Sequence, residues 1–338
     1  MDGNKKYFYL DLLRIFAILC VIILHIVVPY IGNTDLFGTR IWHIANIFNT
    51  ISRTGVPIFF MVSGFLLLNS SKTADFISFY KRRLTKLAVP FLSWNVIYYI
   101  AYGLLENREI SFSEFFKQML IEGTSYHFWF VYTLIVIYLF MPFLKRILDG
   151  LEQKWCWLLL IISGIKTTIV PFINIVTPLE IYMFDNILLG YVSYVLLGYI
   201  LGKFEYTKKQ KTIFGFVGIV GGFITTLGNY LMSDGATNLI FNGGYQIGHF
   251  MLAAGIFVLF KSFGRASEKV VKVISVLSGI TFGMYLVHPL VITLGYEFIS
   301  SELRPYMHIL AMFGFTVVVS ALFTYLISKI RIINKILL

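Results

Sequence analysis

Long apolar runs, separated by short segments rich in charge, Gly or Pro, recur from one end of the chain to the other. The first covers residues 7–31, YFYLDLLRIFAILCVIILHIVVPYI, and its only Asp, Glu, Lys, Arg or His side chains are Asp11, Arg14 and His25. Runs of about 20 apolar residues are long enough to cross a bilayer as helices, whereas shorter ones suit a soluble core. Reading each run between its polar boundaries predicts ten spans, at about 8–31, 48–69, 87–105, 127–144, 155–173, 184–203, 212–232, 243–261, 276–298 and 308–328. The expected fold is therefore all-α, a polytopic membrane protein whose residues 1–338 form one transmembrane domain. The first run follows Lys5 and Lys6 as a signal peptide would, yet it is long enough to span and no small-residue cleavage site follows, so it is read as a retained helix.

Composition strengthens this picture. Hydrophobic residues make up 58% of the chain and charged residues 13%, with a mean hydropathy of +0.79, more apolar surface than a soluble domain can hide. Charge then orients the spans, because basic residues concentrate in cytoplasmic loops. With the N-terminus inside, the cytoplasmic segments collect 21 of the 28 Lys and Arg residues and leave only Arg14, Arg40, Arg53, Arg108, Lys117, Lys166 and Arg304. Both termini are then cytoplasmic. The same distribution explains the net charge of +11 without nucleic acid, since no basic domain is left over. Two cysteines, Cys20 and Cys156, offer neither a disulfide framework nor metal-ligand spacing, and no metal is expected. Gly198 and Gly202 form a small-xxx-small pair suited to helix packing.

Ionisable residues within spans are costly and mark candidate chemistry. Arg14 and His25 are eleven residues apart, about three helical turns, so they project from nearly the same face about 16 Å apart. His25, about 25 Å from the start of its helix, falls in the outer third of the membrane, where neutral imidazole can accept a proton; a core histidine bonded to a neighbouring helix is the plainer reading. Arg14 keeps its charge and must snorkel, pair with a carboxylate such as Asp11, or hold an anion; we favour a shared site below His25. His43, His127, His249 and His308 fall near outer span ends and His288 lies within the ninth span. Pro57, Ser63 and Gly64 in GVPIFFMVSGFLLL suggest a helix break lining a passage that Arg53 also faces, against a simple kink. Lys81, Arg82, Arg83 and Lys86 read as an amphipathic segment at the inner interface, meeting lipid headgroups or the phosphates of a nucleotide-bearing donor. Trp129 reads first as an interfacial belt residue.

Taken in order, LDLLRIFAILCVIILH, GVPIFFMVSGFLLL, KRRLTKLAVPFLSW, HFWFVYTLIVIYLFMPFL, SYVLLGYILGK and ITFGMYLVHPLV resemble the membrane-bound acyltransferase family 3, bacterial acyl-CoA-dependent O-acyltransferases of cell-surface sugars. The resemblance spans almost the whole chain. It implies a multi-pass protein of the bacterial cytoplasmic membrane in a stand-alone form, because the chain stops about ten residues after its tenth span. Arg14 and His25 match the family's essential pair, and basic residues after the second span, Arg82, Arg83 and Lys86, match its donor-side cluster, with Lys86 where a second arginine usually stands. Acyl-CoA, acetyl-CoA first, is the implied co-substrate, and a hydroxyl of a cell-surface or lipid-linked glycan the acceptor. His25 is then the general base, with Asp11 and Arg14 holding donor or imidazole in place, or else it carries the acyl group as an acyl-histidine. Arg53, Ser63, Trp129, Tyr285 and His288 are the substrate-side candidates. Membrane lipids, acyl-CoA and the acceptor are the expected partners, with a homo-oligomer left open and no nucleic acid. A proton-coupled transporter or flippase is the rival reading, and a non-catalytic sensor or scaffold a third.

Overall fold

The computed structural model describes residues 7–121, 123–165, 169, 173–174, 177, 187–232, 246–264 and 266–338. Lys5, Lys6, Lys166 and Arg265, used above to orient the chain, lie outside the described residues, as do parts of the fifth, sixth and eighth expected spans. Among the described residues the structure is all-α with no strand. The helices are α1 (Phe8–Ile31), α2 (Arg40–Ser52), α3 (Gly55–Leu68), α4 (Phe76–Leu105), α5 (Phe112–Ile121), α6 (Trp129–Asp149), α7 (Gln153–Gly164), α8 (Ile187–Lys203), α9 (Lys208–Met232), α10 (Ile247–Lys261), α11 (Glu268–Phe298), α12 (Pro305–Ser328) and α13 (Arg331–Leu337). Among the described residues, seven helical units are long and apolar enough to cross a membrane: α1, α2 with α3, α4, α6, α9, α11 and α12. The fifth, sixth and eighth expected spans correspond to α7, α8 and α10, of 12, 17 and 15 residues.

Helix α1 sits at the centre, packed against α2, α3, α10, α11 and α12. Asp11 in its first turn complements the helix dipole. Trp42 of α2 donates from Nε1 to Ile31 O at 3.2 Å, so α2 lies along the C-terminal half of α1. Phe65 of α3 packs its ring 5.0 Å from that of Tyr7, while Gly55 faces Ala17, Cys20 and Val21, so α3 runs back along the N-terminal half. The join between α2 and α3 therefore falls halfway along α1.

That join corrects the expected position of the break. It lies at Arg53 and Thr54, with the helix continuing unbroken through Pro57, Ser63 and Gly64. Pro57 is the third residue of α3, where its missing N–H leaves no helical bond unmade. Arg53 and Thr54 both keep right-handed helical backbone angles, so the interruption is a tightened turn rather than an unwound stretch. Gly64 serves a different purpose: a Cβ there would overlap the backbone of Val195 in α8, and one on Gly198 would overlap the backbone of Met61. With Gly202 against the Phe65 ring, these glycines let α3 and α8 approach closely, the packing expected for small-xxx-small pairs.

The basic stretch after the second span is also corrected. Asp75 caps a helix by accepting from Ser78 N at 3.3 Å, and α4 then runs for 30 residues through Lys81, Arg82, Arg83 and Lys86 to Leu105. No separate interfacial segment precedes the third span; the cations form the first turns of the spanning helix, so their positions are set by its rotation. The far end of the chain closes against the same helix, where Trp94 donates from Nε1 to Leu337 O at 2.9 Å.

Candidate active site

The candidate residues gather in two features built on α1, and one tyrosine belongs to both. At the N-terminal end, α1, α3, α4, α6 and α11 enclose a cavity of about 330 Å³. Arg14, Ser63, Arg83, Lys86, Tyr138, Ser278 and Tyr285 supply its polar lining, with Phe59, Leu87, Phe130, Leu134 and Phe282 among its apolar walls. Arg14 is held at two points: Nη1 donates to Asp11 Oδ1 at 3.3 Å and to Ser278 Oγ at 3.4 Å. Ser278 in turn donates to Asp11 Oδ1 at 2.7 Å, closing a triangle between α1 and α11. The arginine is thus both paired locally and turned to a cavity, so the local ion pair and the ligand-facing role coexist. A second cavity, about 250 Å³, is lined by Ser70, Lys72, Thr73, Phe79, Arg82, Arg83 and Lys86. Arg83 and Lys86 line both cavities, so a run of cations leads from one to the other.

Three turns further along α1, His25 stands in a group of rings. Its centroid is 4.8 Å from that of Tyr126 and 5.3 Å from that of His288, the two imidazoles inclined by 29°. His288 lies 5.4 Å from His127 and 5.7 Å from Tyr285. Tyr285 donates its hydroxyl to His127 O, and His127 meets Ser125 Oγ through Nδ1 at 3.0 Å. His127 and His288 are buried, while Tyr126 is about half exposed. Tyr285 therefore connects the two features, lining the cavity with Arg14 and packing against His288, which packs against His25.

This refines the shared site expected from spacing. His25 does not line the cavity that Arg14 lines; the two are joined through Tyr285 and His288 instead. The structure brings Arg14, Asp11, Ser63, Arg83, Lys86 and Tyr285 to the cavity or its wall, and Arg82 to the adjoining one. Arg53 lines neither; its Nε donates to Asn49 Oδ1 at 3.1 Å. Trp129 opens α6 with its ring 5.6 Å from that of Tyr191, outside both cavities. Among the other histidines, His308 bonds Tyr30 Oη at 2.8 Å and His43 packs on Trp42 and Tyr230, away from His25.

Ser278 and Tyr126 escaped the sequence reading. Nothing in SVLSGITFG separates a serine that bridges α1 and α11 from one that returns to its own backbone, and Tyr126 sits in a loop among ordinary interfacial aromatics. His127 was one of several outer histidines with no ranking among them. Among the described residues, no three side chains of His, Cys, Asp or Glu form a metal-binding group.

A family model described as an acyltransferase domain matches residues 7–325. No curated protein and no solved structure matches the chain.

Proposed function

The chain belongs to the membrane acyltransferase family 3, and from that premise we propose that it moves an acyl group, acetyl first, from cytoplasmic acyl-CoA to a hydroxyl of a cell-surface or lipid-linked glycan on the outer side of a bacterial inner membrane. The observation that carries this reading is the continuity through Tyr285, which lines the Arg14 cavity and packs against the His288 and His25 pair. An anionic donor has cations along its whole approach, Lys72, Arg82, Arg83 and Lys86 at the second cavity and Arg14 deeper in. The lysines supply point charges and the arginines planar forks that suit phosphate oxygens. A cavity of about 330 Å³ is of the size that small-molecule sites use, and its Phe and Leu walls suit a slender, weakly polar arm.

In this scheme the thioester lies beyond Ser63 and Tyr285, within reach of His25. The acceptor arrives from the opposite end, where Tyr126 offers an exposed ring beside His25. His25 takes the proton of the acceptor hydroxyl as its oxygen attacks the thioester carbonyl, and returns it to the departing thiolate. Asp11 and Ser278 hold Arg14 in one rotamer, so that its charge is fixed before the donor binds. The donor is a co-substrate, and the scheme calls for no metal.

The test is transfer of radiolabelled acetyl from acetyl-CoA in membranes carrying the wild-type chain or His25→Ala. A loss of at least about 100-fold at equal expression is expected, the span that positioned acid–base groups contribute. Undiminished transfer by His25→Ala refutes the base assignment. Flux of a sugar substrate in proteoliposomes without acyl-CoA, and no transfer with it, would replace this reading with a carrier. Mass spectrometry of surface glycans with and without the protein identifies the acceptor.

A further inference from the structure

The ring beside His25 is built more rigidly than His25 itself. Position 289 is proline, so the helix has no N–H to offer Tyr285 O, four residues back. His288 Nδ1 takes that place, 2.6 Å from Tyr285 O. A carbonyl only accepts, so Nδ1 must carry the hydrogen and neutral His288 must hold its lone pair on Nε2. The Tyr-x-x-His-Pro order at 285–289 thus specifies a tautomer, through a backbone group that the proline itself leaves open. His288 is fully buried, and among the described residues its Nε2 has no hydrogen-bond partner, an uncommon state for a buried acceptor.

His25 is the opposite case. Its ring packs on Tyr126 and His288 but, among the described residues, takes no hydrogen bond that would fix which nitrogen carries the proton. A general base works only if the lone pair faces the substrate, which is why such a base is held by a third group. The His25 and His288 rings are stacked, with centroids 5.3 Å apart and planes inclined by 29°. An N–H lies in the plane of its ring, so the bond proposed below requires the His25 ring to turn edge-on to His288 Nε2.

Resting on the assignment of His25 as base, we propose that His288 is a positioning residue that accepts an N–H from His25 at Nε2, so that the other nitrogen of His25 presents its lone pair to the acceptor hydroxyl. The same bond shares the charge of the imidazolium formed when the hydroxyl proton is taken. Nothing else changes in the reaction. The O–H and C–S bonds break, the C–O bond forms, the proton passes from the acceptor oxygen to His25 and then to the thiolate sulfur, and His288 neither gains nor loses a proton. His127 and Tyr285 act one shell further out, enclosing the His288 ring.

Two side chains separate this role from mere filling of space. Glutamine places an acceptor oxygen near the site of Nε2, and leucine fills similar volume without one. His288→Leu is expected to lower kcat about 100-fold with KM for either substrate within about threefold, and His288→Gln to recover at least tenfold of that loss. Equal rates in the two variants, or full activity in His288→Leu, overturn the proposal. If wild type transfers acetyl and His25→Ala does not, that result condemns only the role of His288; if wild type fails to transfer, the function reading falls instead. A measurement without acyl donor keeps the two apart. Zinc seeks imidazole lone pairs, so ZnCl₂ is expected to raise the Tm of the detergent-solubilised wild type, and to do so less in both His25→Ala and His288→Leu. No shift in wild type, or equal shifts in all three proteins, shows that no nitrogen of His25 comes within reach of His288 Nε2 and overturns the proposal.

Discussion

At Arg14 the guanidinium bonds Asp11 and Ser278 at 3.3 and 3.4 Å while the side chain also lines a cavity, so its charge is partly balanced and still presented to a ligand. Sequence identified Arg14 because charge in an apolar run is expensive, and identified Asp11 by helical spacing. Ser278, the third member, is 264 residues away in sequence, and only packing brings it there. Arg83 and Lys86 differ from Arg14 in lining both cavities from successive turns of α4. In the proposed scheme they grip the phosphate end of the donor, away from the His25 rings. Arg83→Ala and Lys86→Ala are each expected to raise KM for acetyl-CoA about tenfold with kcat within about twofold, the signature of lost uniform binding. Initial rates over a range of acetyl-CoA check this, and a fall in kcat at unchanged KM would contradict it.

Among the elements, α3 shows how differently two glycine-containing motifs act. A helix break was expected at Pro57, Ser63 and Gly64, whereas the interruption lies at Arg53 and Thr54 and Gly64 is a contact surface for α8. Local sequence marks a glycine or proline as unusual without saying whether the reason is a backbone angle or a close neighbour. Gly198 was read correctly because its partner Gly202 supplied a period. In lipid, such contacts hold helices together by close van der Waals fit, since burial of apolar surface gives little drive there. Gly198→Ala puts a methyl group into the Met61 backbone, which cannot move aside as a side chain could. We expect a loss of about 1–3 kcal/mol, typical of overpacking, seen as a lower Tm in detergent. Gly215→Ala, which meets open space in α9, is the control and is expected to be neutral or slightly stabilising.

For the whole molecule, membrane orientation rests on the asymmetry of Lys and Arg along the chain. Cys20 and Cys156 are both buried, so a cysteine placed in a loop can be labelled over a low background. In sealed cells, an impermeant maleimide is expected to label Glu109→Cys and spare Lys209→Cys, and the pattern is expected to reverse in inverted vesicles. Labelling of Lys209→Cys from outside would turn the chain over and with it the sides proposed for donor and acceptor. By itself the sequence determined the class, the helical runs and the family, and offered Asp11 as a candidate partner for Arg14, because hydropathy, helical period and motif order are properties of residues close along the chain. Only the tertiary structure decided that Arg14 and His25 belong to separate features joined by Tyr285, that Ser278 completes the arginine's support, and that His127 and His288 stand with His25 while His43 and His308 do not. Those relations join helices far apart in sequence, and which faces meet follows from helix rotation and packing, which a run of apolar residues leaves undetermined.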